Sequence, residues 1–372
     1  MHIVYVYADN PQEWNCSEWR CLTPSNAINF MNEHHNSDVT AKLVHVSGFL
    51  DFLNPGLQEI VMLADVIIFQ RNMVDETAFD AMEYFQGMGK PVVIDLDDAY
   101  HILPWSNPAH KFWHEHEEGK ALLLLEEGLK RSNGLITPNR LLLYDWKHVA
   151  KGYYLPNYAN HKFWPEDLPT RDEMKTKLGF QDRIVFGWGG SVSHYDSWWG
   201  SGIREAAIRV TNRHPELLWV ICGNDSRIFD QLPLSSTNKF QQQGVDPSIW
   251  PTIIRSFDVG LAPLFGPYDQ RRSWIKGLEY LLAGVPWIGT VGEPYADLQG
   301  LGVLIRNGIE EWEDGLENII KDLKQSQEIF AQNVPTARQW LAINQVKTYK
   351  SVYNEISQDA GIKGRLPGIF YV

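Results

Sequence analysis

The stretch Arg271-Arg272-Ser273-Trp274-Ile275-Lys276-Gly277-Leu278-Glu279-Tyr280-Leu281-Leu282-Ala283-Gly284-Val285-Pro286 places a basic, small-residue loop at the start of a helix and ends that helix on Gly and Pro. A helix N-terminus offers N–H groups without intrahelical acceptors and a partial positive charge, which suits a phosphate or diphosphate. Glu279, further along, can accept hydrogen bonds from sugar hydroxyls such as those of a ribose. Those two needs together describe a sugar nucleotide. An ordinary amphipathic helix with a Gly C-cap and a Pro stop explains Gly284 and Pro286 equally well, so the surrounding chain has to decide.

On either side of this segment, short apolar runs alternate with helical patterns. Upstream, strands are expected at Ile3–Tyr7, Ala41–Val46, Val66–Phe69, Pro91–Ile94 and Gly134–Thr137. Helices are expected at Pro24–Glu33, Leu57–Leu63, Ala78–Gly87, Lys120–Arg131 and Arg140–Val149. The rhythm breaks at Tyr154-Leu155-Pro156-Asn157 through Trp164-Pro165, a turn-rich connector that reads as an interdomain linker. A second series follows, with strands Ile184–Gly187, Leu218–Ile221, Val259–Ala262 and Pro286–Gly289. Its helices are Gly202–Arg213, Trp274–Ala283 and Glu310–Ser326, then Pro335–Ser357 as one long helix or two abutting ones.

Apolar strands separated by helices indicate parallel sheets, hence an α/β chain of two Rossmann-like domains facing a central cleft. The first domain is expected over 1–157 and the second over 158–340, with a closing helix over 341–372 packing back on the first. Ligands of such sheets bind beyond the carboxyl ends of the strands. The loops that qualify are 8–23, 70–75, 95–107, 188–200, 223–228 and 263–274.

Composition narrows the function classes. The 372 residues are 44% hydrophobic and 21% charged, as in a soluble globular protein, and no apolar run approaches the ~20 residues that span a bilayer. A net charge of −13 disfavours binding to nucleic acid or anionic lipid. Cys16, Cys21 and Cys222 make neither a disulfide framework nor a zinc set, and no secretory signal opens the chain, so a cytoplasmic setting is expected. Fifteen Trp, 15 Tyr and 16 Phe are many. The clusters Trp14/Trp19, Trp105/Trp113 and Trp188/Trp198/Trp199 can stack on sugars, although packing is the commoner use of such side chains.

Three segments give the chain a family resemblance. Leu155-Pro156-Asn157 through Trp164-Pro165, Asp258-Val259-Gly260-Leu261-Ala262-Pro263-Leu264, and Ser273 to Pro286 resemble the linker, donor-loop strand and donor helix of the GT-B glycosyltransferases. The likeness is to their large retaining group, family 4. It implies that Glu279, matching the second Glu of the paired-glutamate motif, binds the donor ribose, and that the amides of Ser273, Trp274 and Ile275 hold the diphosphate. The pair's first Glu falls where this chain has Arg271, so Arg271 or Arg272 is expected at phosphate instead. The loop Gly187-Trp188-Gly189-Gly190-Ser191-Val192-Ser193-His194 lacks the family's Arg and Lys. Its glycines allow backbone to approach phosphate, and His194 is the expected substitute cation, with Lys276 and Arg271 as outside candidates. Gly223, Asn224 and Val245 fall where the family lines the nucleoside pocket.

The run Asp95-Leu96-Asp97-Asp98 contains an Asp-x-Asp, a pattern that can hold a divalent metal through oxygen. The expectation is a cleft-facing acidic loop without metal, in which Asp97 and Asp98 bind acceptor hydroxyls or help position the transferred sugar; a helix cap or solvated turn is the bland alternative. Arg20 is expected near an acceptor or phosphate. Taken together, the resemblance implies sugar transfer from a nucleoside-diphosphate sugar, UDP or GDP, to a hydroxyl acceptor such as a glycan. Retention is expected, with inversion as the alternative, in which Asp97 or Asp98 deprotonates the acceptor; no other cofactor is expected. Alternatives are a non-catalytic sugar-nucleotide or glycan-binding protein on the same scaffold, and a transferase acting on modified DNA bases.

Overall fold

The computed structural model describes residues 1–363 except 12, 14 and 72–74. Trp14, positions 72–74 of the loop after the third strand, and positions 364–372 of the expected closing helix lie outside the described residues. The chain divides into two compact units. One comprises Met1–His101, Lys111–Asn160 and the stretch from Leu341; the other comprises Ile102–His110 and His161–Trp340. The division falls three residues later than the linker reading placed it. The segment Ile102–His110, expected in the first domain, belongs to the second unit because Ser106 Oγ donates to Asp196 Oδ2 (2.8 Å) and Asn107 Nδ2 to the Tyr268 hydroxyl (3.2 Å).

The first unit holds a six-stranded parallel sheet of β1 (His2–Tyr7), β2 (Thr40–His45), β3 (Val66–Gln70), β4 (Val92–Asp95), β5 (Leu135–Thr137) and β6 (Gly152–Tyr154). Its spatial order is β2-β1-β3-β4-β5-β6. β3 and β4 are buried at every position, as a strand covered by helices on both faces must be. The closing helix Val346–Lys363 packs on this unit, where the Tyr353 and Tyr5 hydroxyls share a hydrogen bond of 2.7 Å. The stretch from Pro335, expected as one long helix or two abutting ones, is a short helix Val334–Arg338, a turn at Ala342–Gln345 and that final helix. Between the first two, Leu341 bridges to Ala159 and interrupts the helical ladder. Likewise Glu310–Ser326 is broken at Asp322 into Ile309–Lys321 and Leu323–Gln332.

The second unit holds β7 (Ile184–Gly189), β8 (Leu217–Cys222), β9 (Lys239–Gln242), β10 (Val259–Ala262), β11 (Trp287–Thr290) and β12 (Val303–Ile305), in the order β12-β11-β10-β7-β8-β9. The chain winds outward from β7 to β9, returns to the middle at β10, and winds outward the other way, so its direction reverses between β7 and β10. In an open parallel sheet that reversal leaves a crevice at the carboxyl ends of the two strands, where ligands sit. Paired glycines seat the helix Ile275–Leu282 beside it. Gly187 and Gly260 lie opposite each other on β7 and β10, and a Cβ on either would enter the Phe257 ring (2.2 Å) or the Tyr280 ring (2.5 Å). Tyr280 thereby lies on the sheet and donates its hydroxyl hydrogen to Leu261 O at 3.0 Å. Asp258, before β10, is buried and accepts from Lys175 Nζ (2.7 Å), Val185 N (2.8 Å) and Gln327 Nε2 (3.0 Å), pinning β10 to β7.

Most of the described tryptophans are buried, and Trp19, Trp199, Trp250 and Trp340 are half-buried. Trp188, Trp198, Trp219 and Trp312 form the centre of the second unit's core. Trp113 is buried and stacked on Tyr100 at 4.1 Å, and Trp199 stacks on Tyr195 at 4.4 Å. Among the described tryptophans, Trp105 alone is strongly exposed, at 87%. Among the described residues, no helix is long and apolar enough to cross a membrane.

Candidate functional site

At the β7/β10 reversal two loops meet. The loop after β7 runs through Gly190 and Ser191 into the turn Val192–His194, with the Ser191 hydroxyl accepting from Ser193 N at 3.3 Å. The loop after β10 leads through Gly266–Asp269 to the start of helix Ile275–Leu282. Space between them is tight: a Cβ on Gly190 would lie 2.8 Å from the Trp188 ring and 3.0 Å from Lys276 Nζ, and one on Gly189 would meet the Trp250 ring at 2.3 Å.

Arg272 ties the loops together. Its Nε donates to Asp269 Oδ1 (2.8 Å), and its Nη2 donates to Ser193 O (2.8 Å) and Ser193 Oγ (3.0 Å). Its Nη1 stands 3.0 Å from His194 Nε2, and its guanidinium lies over the Tyr268 ring at 4.6 Å. An arginine has only donors, so His194 Nε2 must accept, and the imidazole proton is carried on Nδ1. That Nδ1 is buried and has no partner among the described residues. Burial, then the charges of Arg272 and Lys276, hold the His194 pKa well below the usual histidine range. His194 is therefore a neutral N–H donor, not the cation expected from the sequence.

Lys276 supplies the positive charge. Its Nζ donates to Gly189 O at 2.6 Å and lies 5.2 Å over the Trp188 ring. Burial, followed by the neighbouring Arg272 charge, pushes its pKa down to about 8, while Glu279 and Asp269 pull it up. Glu279 follows Lys276 by three positions, one helical turn, and so shares its side of the helix. Ser273, Trp274 and Ile275 occupy the helix start, where N–H groups have no intrahelical acceptor. The Trp274 side chain is buried against Trp340 (5.2 Å), which leaves only its backbone for a ligand. Arg271 donates to Pro267 O at 2.9 Å, and Arg272 reaches the loop after β7.

Asn224 and Val245 extend the same edge of the sheet. Asn224, after β8, accepts from Gly244 N at 2.9 Å and so sets the backbone beside Val245, after β9. Gly223, at φ +156°, passes so near Gly190 that a Cβ there would stand 2.5 Å from Gly190 O. Gly189, Gly190, Ser191, His194, Ser273, Trp274, Ile275, Lys276, Glu279, Asn224 and Val245 thus gather on neighbouring loops of one unit. Asp269 was not singled out by the sequence reading. It is buried and accepts from Ser197 Oγ (2.6 Å), Phe265 N (2.8 Å) and Arg272, which organises the whole loop. Its only sequence signal is an Asp three residues before an Arg.

Asp97 and Asp98 lie in the other unit, beyond β4. Asp97 Oδ1 is buried without a hydrogen-bond partner among the described residues and stands 3.7 Å from Arg71 Nη1. Asp98 accepts from Ala99 N at 3.1 Å. Arg71 is held by the Tyr100 hydroxyl (2.8 Å) and adopts a left-handed φ of +35°, a strained backbone for a residue with a side chain. Asp95 is engaged bidentately by Arg20 at 2.7 and 2.8 Å, and Arg20 also donates to Leu155 O and Asn157 Oδ1. Arg20 is therefore a buried tie between β4 and the linker, which corrects the expectation that it meets an acceptor or phosphate. The Asp-x-Asp pair faces guanidinium groups at both ends, an arrangement that does not fit a divalent cation.

No family model matches the chain, and no curated protein matches its sequence. Solved structures do match in shape. HepE of Anabaena, determined in complex with UDP and glucose, aligns at a TM-score of 0.65 with 13% identity, over 96% of this chain and 100% of that one. The sequence resemblance and the superposition agree. The fold is GT-B. Sucrose-phosphate synthase from Thermosynechococcus elongatus aligns at 0.62 with 9% identity, over 95% and 99% of the two chains. A putative UDP-N-acetylglucosamine 2-epimerase from Listeria monocytogenes aligns at 0.54 with 12% identity, over 95% and 97%. The GT-B scaffold is thus shared by proteins described with different chemistries, and the residues at the β7/β10 crevice have to carry the functional argument.

Proposed function

We propose that this GT-B chain is a glycosyltransferase that moves a sugar from a nucleoside-diphosphate sugar to a hydroxyl acceptor, with retention and without a metal. The observation that carries the reading is the neutral His194, locked by Arg272 with its unpartnered Nδ1–H, beside Lys276 and the start of helix Ile275–Leu282. A departing diphosphate accumulates negative charge on oxygen. Preorganised donors in a site of low polarity stabilise such charge far better than water does. In this reading the amides of Ser273, Trp274 and Ile275, His194 Nδ1–H and Lys276 meet the diphosphate. Glu279 takes the ribose, while Gly189, Gly190 and Ser191 allow close approach, and Asn224 and Val245 border the base. Asp97 and Asp98 receive the acceptor hydroxyl.

HepE was solved with UDP, which favours UDP over GDP as the donor base. Melting curves with UDP, GDP, ADP and dTDP test the site directly, because a ligand that binds the folded state raises its melting temperature. UDP is expected to give the largest rise, and Glu279→Ala to abolish it. NMR of products from candidate UDP-sugars then separates transfer with retention from inversion, and both from 2-epimerisation. Tight UDP binding with no turnover of any donor would leave a non-catalytic binding protein.

A further inference from the structure

We infer that Trp105 is a stacking platform for a pyranose ring of the glycan substrate, an inference that rests on the sugar-transfer reading above. The indole is 87% exposed and stands within Ile102–His110, in a loop otherwise well anchored. Leu103 is buried, and Asn107 N closes a turn onto Pro104 O at 2.9 Å. Ser106 Oγ donates to Asp196 Oδ2 at 2.8 Å, and buried Asn107 donates to the Tyr268 hydroxyl at 3.2 Å. A loop held this firmly on both sides of one bare Trp presents the ring with little ordering left to do on binding.

Its neighbours in the loop define the occupant. Leu103 is inside, Ser106 and Asn107 are polar, Ile102 and Pro104 are only half-exposed, and Pro108 adds one exposed proline ring, so the indole is the one large apolar side chain that the loop presents. A specific protein interface needs about 800 Å² per partner, whereas one Trp side chain offers roughly 150–250 Å², the scale of one sugar ring. The Ser106–Asp196 pair beside it offers the hydroxyl and carboxylate that sugar hydroxyls engage. The loop also reaches the proposed donor site through consecutive contacts: Asn107 to Tyr268, Tyr268 to Arg272, and Arg272 to His194.

The test uses the full chain labelled with 5-fluorotryptophan and observed by fluorine NMR, with cellotetraose, maltotetraose and chitotetraose as probes. The Trp105 resonance is identified by its loss in Trp105→Phe. It is expected to move with at least one oligosaccharide, and to move equally in a Tyr144→Ala control, which removes another exposed aromatic. In turnover assays Trp105→Ala should raise KM for a glycan acceptor about tenfold, with donor hydrolysis and melting temperature unchanged because no packed atom is lost. A Trp105 resonance unmoved by all three probes overturns the platform even if UDP binds. Movement with an oligosaccharide while UDP fails to raise the melting temperature keeps the platform and overturns the donor-site reading.

Discussion

Arg272 keeps its proton across the accessible pH range, so the Nε2 of His194 is occupied as an acceptor and the remaining proton is aimed elsewhere. That makes His194 replaceable by a side chain that donates from a similar place. His194→Ala is expected to lower kcat for donor turnover by about 10²–10³, the usual loss on removing one preorganised donor. His194→Asn, which keeps an N–H, should recover part of it; equal losses in the two variants would refute the donor role. Lys276 gives the pH dependence. Its folded-state pKa is lowered to about 8, so the ammonium is complete below that pH and is lost as pH rises through it. kcat/KM for the donor should fall above about pH 8 in the wild type, and Lys276→Met should remove that limb along with most of the activity. No limb from His194 is expected near pH 6–7, since its pKa is held well below that range. The sequence made Lys276 and His194 visible as residue types near a glycine-rich loop. It read His194 as a cation because nothing in the chain order puts Arg272, 78 positions away, against its ring.

Among elements, the β7–β10 pair is where local sequence and three-dimensional contact meet. The apolar run Val259-Gly260-Leu261-Ala262 is legible as a strand, and Gly284 with Pro286 as the end of the helix that follows. Asp258 was readable only as part of a family-like segment; its buried contacts with Lys175, Val185 and Gln327 come from three separate parts of the chain. Asp258→Ala leaves the Lys175 ammonium buried without its carboxylate, and such a break typically costs about 3–5 kcal/mol. Urea denaturation should show a loss of that size, whereas Asp98→Ala, at a partly exposed loop position, should stay near the wild-type midpoint. The strands missed in the sequence were β6, β9 and β12. Each is short and lies at the end of its sheet, and β9 (Lys-Phe-Gln-Gln) has no buried residue. An end strand is covered less completely, and β6 and β12 are three residues long, too short for an apolar run to stand out from a turn. The Leu341 bridge to Ala159 was invisible for another reason: helical propensity over Pro335–Ser357 is locally consistent, and a long-range pairing overrides it.

For the whole molecule, ligand binding should be felt where its contacts are. A nucleoside diphosphate held as proposed stabilises the folded state by about 2.7 kcal/mol at a hundredfold excess over Kd. Hydrogen exchange with and without UDP should show protection at the end of β7, at Val192–His194 and along Ile275–Leu282, with β1–β6 unchanged. Protection confined to β1–β6 would place the nucleotide in the wrong unit. The sequence by itself determined two parallel α/β sheets, the helix that starts near Ser273, and the loops that can meet a ligand. Each of those follows from short-range periodicity, capping and turn chemistry. Only the tertiary structure decided that Arg20 is a buried tie, that Arg272 sets the proton on His194, and that Trp105 stands bare while Trp188 and Trp198 fill the core. Those outcomes depend on which distant side chains share a space, and burial and hydrogen-bond partners exist only once the chain has folded.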